Sequence, residues 1–124
     1  MIGYITLGTD NLNQDANFYD SLLELLDAKR VMQADDFIAW GTHEQQPMFS
    51  IHLPADGQPA SVGNGVMIAL KAKNTEQVKS LYDKALLLGA IDEGKPGFRA
   101  EGFYAAYFRD LSGNKLNVHC LGAA

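Results

Sequence analysis

The stretch GFYAAYFRDLSGNKLNVHC, residues 102–120, decides the fold. Two apolar runs flank the polar segment DLSGN, so the stretch predicts two strands joined by a tight turn. Asp110, Gly113 and Asn114 are the residue types such a turn uses. Side chains alternate between the two faces of a strand. Leu116, Val118 and Cys120 therefore share an apolar face, expected against a helix. Lys115, Asn117 and His119 share the opposite face.

Upstream of the hairpin, VMIALK (residues 66–71) predicts a strand with Val66, Ile68 and Leu70 toward the helix. Residues 75–88 predict a helix, with Val78, Leu81, Tyr82, Ala85 and Leu88 on one face. Asn74 and Gln77 stand at its N-cap and N3 positions, a variant capping box. Gly89 is well placed to end it. A short strand near 90–93 and a turn at EGKPG are expected before the hairpin.

The first half repeats this order. Residues 2–8 predict a strand, and residues 12–27 a helix with the stripe Leu12, Ala16, Tyr19, Leu22, Leu23 and Leu26. Asp10 or Asn11 caps its start. KRVMQA, DFIAWGT and PMFSIHL predict three strands within 29–53, with the polar loop HEQQ before the last. Residues 54–65 carry two Pro and three Gly among small polar residues, the composition of a linker.

The chain thus reads βαβββ, linker, βαβββ, an α+β arrangement. Module 1 spans about residues 1–53 and module 2 about 66–122, within a single domain covering 1–124. Each module is too small to bury both faces of its sheet well alone. Pairing is expected to give one curved mixed sheet around a cleft, with the helices outside.

Composition excludes several classes. The formal net charge of −5 argues against nucleic acid, whose phosphates require a basic face. It also disfavours an anionic membrane surface, and no apolar run is long enough to span a bilayer. The N-terminal MIGYITLG turns polar too soon for a signal peptide. Cys120 is the sole cysteine, so no intrachain disulfide forms. These features predict a cytoplasmic protein. The GNG at 63–65 precedes a strand rather than a helix and is no phosphate loop.

Several segments in the right order resemble the vicinal oxygen chelate superfamily, which includes glyoxalase I, bleomycin resistance proteins and extradiol dioxygenases. ITLGTDNLNQDANFYDSLL (5–23) is similar to its opening strand and helix. DGQPASVGNGVMIALKA (56–72) resembles the linker and second-half strand of a glyoxalase-like subgroup. GKPGFR and FYAAYFRDLSGNKLNVHC resemble that subgroup's ending. Metal-binding members take one ligand from each of four strands. By this resemblance the four positions hold Tyr4, Ser50, Met67 and Asn117, with His52 a less favoured choice than Ser50. Alternation also turns these residues toward the cleft. Tyr, Ser and Asn are weak donors and Met suits soft metals, so no metal and no cofactor is expected there.

The cleft residues expected from these readings are Tyr4, Trp40, Ser50, His52, Met67, Tyr104, Tyr107, Asn117 and His119. The aromatic members either wall a binding pocket or pack in the core and a dimer interface. His52 and His119 either act together on an anion or proton, or stand independently at strand ends; the second reading is favoured. Arg99 and Arg109 near the hairpin are candidates to clamp a carboxylate or phosphate; for Arg109 the favoured reading is a surface charge or a pair with Asp110. His43 is expected in solvent, or in a dimer at a neighbouring cleft, and Cys120 in the core rather than as a nucleophile.

Three functions remain open. The first is a metal-free binding protein for a small organic molecule, a homodimer as the resemblance implies. The second is a glyoxalase-like lyase, isomerase or dioxygenase with a divergent site. The third is a non-catalytic accessory protein with a filled cleft.

Overall fold

The computed structural model describes residues 1–43 and 45–122, so Glu44 of the HEQQ loop and the last two residues lie outside the described residues. The order is β1 (Tyr4–Gly8), α1 (Leu12–Glu24), β2 (Lys29–Gln33), β3 (Phe37–Gly41) and β4 (Met48–His52). After the linker come β5 (Ile68–Lys71), α2 (Thr75–Leu87), β6 (Ile91–Ala100), β7 (Phe103–Arg109) and β8 (Lys115–Leu121). Hydrogen bonding divides the strands into two four-stranded mixed sheets, ordered β1-β4-β3-β2 and β5-β8-β7-β6. The chain forms two compact units, Met1–Val62 and a second beginning at Gly63. This is the α+β arrangement of two βαβββ modules. Among the described residues, no helix is long and apolar enough to cross a membrane.

In module 1, β1 runs parallel to β4, and β3 joins β4 and β2 antiparallel. Helix α1 packs on β2, β3 and β4. Its start is capped by Asn11, whose side chain accepts from the Gln14 N–H. Asp10 instead accepts from the Ala60 N–H at 2.7 Å and ties down the linker. The helix stops at Glu24, short of the expected residue 27, because Asp27 adopts φ +61° and reverses the chain. Ala16, Phe18, Tyr19, Leu22 and Leu23 are buried with Ile38, Trp40, Phe49 and Ile51. Asp20 joins helix to sheet: it receives Arg30 through Nε and Nη2, both at 2.8 Å, and Trp40 Nε1 at 2.9 Å.

Module 2 follows the same plan, with β5 parallel to β8 and β7 between β8 and β6. Asn74 caps α2 by accepting from the Gln77 N–H. The Gln77 side chain reaches back to the Lys73 N–H, one residue beyond a standard capping box. Gly89 closes the helix at φ +108°, a conformation that favours glycine. Val78, Leu81, Tyr82 and Ala85 are buried, as are Phe108, Leu116, Val118 and Cys120. The DLSGN turn is organised by Asp110, which accepts from the Ser112 and Asn114 N–H groups at 3.0 and 2.9 Å.

Two expectations change here. Strand β5 starts at Ile68, because the Val66 N–H closes a turn on the Gly63 carbonyl, and Val66 is exposed rather than facing the helix. EGKPG is not a turn. It continues β6, whose register against β7 shifts between Asp92 and Gly94, between Gly94 and Gly97, and between Phe98 and Ala100. As an edge strand, β6 tolerates both Pro96, which lacks an N–H, and the bulges.

Candidate functional site

Each sheet has one face against its helix and one open face. In module 1 the open face is set by register. Thr6 and Ala39 both pair with Ser50, while Phe37 pairs with His52 and Tyr4 with Met48. Side chains of paired residues share a face. A bulge between Arg30 and Met32 then flips β2: Arg30 pairs with Trp40 on the helix face, but Met32 pairs with Ala39 on the open face. Together these residues line a cavity of about 310 Å³: Tyr4, Thr6, Met32, Phe37, Ala39, Met48, Ser50 and His52.

The polar groups of this cavity are few. The Ser50 hydroxyl donates to the Ile5 carbonyl at 2.7 Å, so its proton is committed to the strand. The His52 ring stacks on Phe37, with centroids 5.8 Å apart and planes 8° from parallel. Its Nδ1 lies 2.5 Å from the Leu53 carbonyl, and its Nε2 3.7 Å from Asp36 Oδ2. A proton on Nδ1 therefore belongs to the carbonyl, and Nε2 is the nitrogen toward the carboxylate. His52 also borders two hollows against linker residues 53–61.

In module 2 the open face carries Ala69, Lys71, Ala105, Tyr107, Asn117 and His119, by the pairings Ala69–Asn117, Tyr107–Asn117, Lys71–His119 and Ala105–His119. Asn117 is buried, and its Oδ1 lies 3.0 Å from His119 Nδ1. That contact assigns a proton to Nδ1 and leaves Nε2 as an acceptor in the neutral ring. Burial, and secondarily the Lys71 ammonium, hold His119 below the usual histidine range. Phe103 lies beside this ring at 5.6 Å between centroids.

Within module 1, the structure brings together Tyr4, Ser50 and His52 of the sequence-predicted residues. Within module 2 it brings together Tyr107, Asn117 and His119. Met67 precedes β5 and is exposed. Two expectations fail. Trp40 is 1% exposed and lies on the helix face, with Tyr19 at 5.7 Å and Asp20 on its indole N–H. Tyr104 pairs with Cys120 and meets Lys79 of α2 across its ring, so it too faces the helix. Strand alternation gives the same result: Trp40 follows the core residue Ile38 by two, and Tyr104 precedes Ala106 and Phe108 at the same spacing. Arg109 pairs with Glu93 at 2.5 Å, not with Asp110. Met32, Ala39 and Met48 were missed as cavity residues. Alternation from Ser50 yields Met48, but the bulge that turns Met32 has no sequence signature.

The donor set does not fit the metal that the family resemblance implies. Tyr4, Ser50, Met67 and Asn117 offer no carboxylate, imidazole or thiolate. Among the described residues, no three His, Cys, Asp or Glu side chains come together.

No protein-family model and no curated protein matches the chain. Solved structures do. A glyoxalase/bleomycin resistance protein from Albidiferax ferrireducens T118 is 30% identical over 97% of this chain and 98% of its own, with a TM-score of 0.89. A glyoxalase/bleomycin resistance protein/dioxygenase family enzyme from Burkholderia phytofirmans PsJN is 16% identical over 96% and 97%, with a TM-score of 0.79. A lactoylglutathione lyase from Agrobacterium tumefaciens is 18% identical over 97% and 92%, with a TM-score of 0.70. The last two share the fold alone. This chain belongs to the glyoxalase/bleomycin resistance protein family, within the vicinal oxygen chelate superfamily.

Proposed function

We propose that the protein binds a small organic molecule on the open face of module 1, without a metal. The observation carrying this reading is the cavity of about 310 Å³. Its size falls at the lower end of the roughly 300–1,000 Å³ common for ligand sites. Phe37 and Tyr4 offer flat apolar surface, and Met32 and Met48 adaptable, polarisable walls. The polar complement is limited to Thr6, Ser50, His52 and the Tyr4 hydroxyl, which suits orientation of a mainly apolar, planar guest. The substituted donor positions favour binding over Lewis-acid chemistry.

The test is calorimetric titration of protein purified without chelators, against a panel of planar aromatic compounds, with elemental analysis of the same sample. The expected result is saturable binding in metal-free protein, weakened about tenfold or more by Phe37→Ala, whose ring faces the cavity. A stoichiometric metal required for binding would overturn the reading, as would a panel with no binder. The reading includes a cytoplasmic homodimer. Sedimentation at micromolar concentration is expected to give the mass of two chains, and a monomer at that concentration would remove this part.

A further inference from the structure

We propose that the open face of module 2 holds an oxyanion subsite, a phosphate- or carboxylate-binding site built from Arg99, Lys115 and Tyr107 on three neighbouring strands. Arg99 comes from β6, Tyr107 from β7 and Lys115 from β8. The Arg99 guanidinium carbon lies 5.3 Å from the Tyr107 ring centroid, and Lys115 Nζ lies 5.7 Å from it. Two cations, one from each strand flanking β7, thus lie against one ring. Beside them stands buried Asn117, paired across the sheet with Tyr107.

The irregular part of β6 is shaped around this arginine. A Cβ at Gly94 would lie 3.1 Å from both Arg99 Nη2 and Tyr107 Cδ1, and one at Gly97 would lie 3.1 Å from Arg99 Nη1. The two glycines leave the space that the guanidinium fills. The Lys95 carbonyl then accepts from Arg99 Nη2. An exposed arginine ordinarily keeps its rotamer freedom, and fixing it costs entropy. Here the bulged strand holds the fork in place beforehand, the condition under which a planar guanidinium recognises an oxyanion well.

The charges remain available. Arg30 is paired with Asp20, Lys79 with Glu76 and Arg109 with Glu93. Among the described residues, Arg99, Lys115 and Lys71 have no such carboxylate partner, nor do Lys29, Lys73, Lys84 and Lys95; of these seven, Arg99 and Lys115 are the two brought over the same ring. A stacked arginine beside an unpaired lysine offers charge-assisted hydrogen bonds to an incoming anion. A purely structural cation over Tyr107, on the interior strand β7, needs neither the second cation nor the glycine pair.

The test is a heteronuclear NMR titration of the full chain with sodium phosphate and, separately, sodium acetate, at fixed ionic strength. Saturable shifts are expected at Arg99 Nε–H and at the Gly94 and Gly97 amides. Arg99→Gln is expected to weaken binding about tenfold. Arg99→Lys, which keeps the charge but loses the fork, should fall between the two. Gly94→Ala should weaken binding with every charge retained. Lys79→Gln, on the helix face, should leave it unchanged. Preference for phosphate identifies a phosphoryl group, and preference for acetate a carboxylate. Shifts that never saturate, or equal losses in Arg99→Gln and Lys79→Gln, would overturn the proposal.

Discussion

The two modules share a frame but differ in where it carries polar side chains. Asn11 and Asn74 cap helices of 13 residues each. The Thr9 N–H donates to the His52 carbonyl, and the Ala72 N–H to the His119 carbonyl, at the same place in the two sheets. That register matches Ser50 with Asn117 and His52 with His119. At α1, module 1 places polar groups: buried Thr9 donates to buried Asp15 at 2.5 Å, and partly exposed Asp20 gathers Arg30 and Trp40. The counterparts of the first pair beneath α2 are apolar, Ala72 for Thr9 and Val78 for Asp15, whereas Asp20 is matched by exposed Asp83. On the open faces the matched pairs Ser50/Asn117 and His52/His119 are polar in both modules, and the contrast lies at Met48 and Gly8, whose places in module 2 hold Lys115 and Lys71. A duplicated frame fixes backbone positions; which face carries the polar chemistry is left to individual side chains.

Geometry differs in one strand above all. β6 has 10 residues where β2 has five. The added length is the bulged segment around Arg99. One module therefore acquired a cation holder in the place where the other has a short strand with a single bulge.

Trp40 offers the largest break in the comparison. Trp40→Ala is expected to cost about 3–5 kcal/mol by chemical denaturation, since it empties a site against Tyr19 and strips Asp20 of a donor. The counterpart in module 2 is Phe108, which needs no such partner. A loss below about 1 kcal/mol, with ligand binding abolished instead, would put Trp40 on the open face.

Importing the module 2 residues sharpens the second contrast. Asp15→Val alone leaves the buried Thr9 hydroxyl without this acceptor, and is expected to cost about 1–3 kcal/mol. Thr9→Ala with Asp15→Val reproduces the Ala72/Val78 pair and should recover much of that loss. A denaturation cycle over the four proteins measures the coupling. Strict additivity would show that the pair does not act as a unit.

Much of this was legible in the sequence because it rests on local signals. Helix stripes, the two Asn caps, Gly89 and the DLSGN turn each announce themselves within a few residues. Alternation was equally readable and correctly oriented Ser50, Asn117 and the core of β8; applied to Trp40 and Tyr104, it would have moved both to the helix faces. Bulges were not legible. Nothing in KRVMQA marks Val31 as the extra residue, and EGKPG has the composition of a turn. Its glycines serve instead to accommodate a side chain two to five residues away, a tertiary role that composition does not distinguish from a turn.

The matched histidines give the smaller effects, because their neighbours have opposite sign. His52 Nε2 faces Asp36, while His119 lies beside Lys71. With its folded pKa below the unfolded value of about 6.5, His119 binds protons more readily in the unfolded chain. Its contribution to stability is then fully present above that value and lost as pH falls through the folded pKa. Denaturation midpoints between pH 7.5 and 5 should decline through that window, and His119→Gln should flatten the decline.

Lys71→Gln tests the cause most finely. Burial is the larger reason for the shift and Lys71 the smaller. The variant should therefore raise the His119 pKa only part of the way toward its ordinary value, as followed by the ring proton shifts in an NMR titration. No movement would remove Lys71 as a contributor. A complete return would mean that charge, not burial, lowers the His119 pKa.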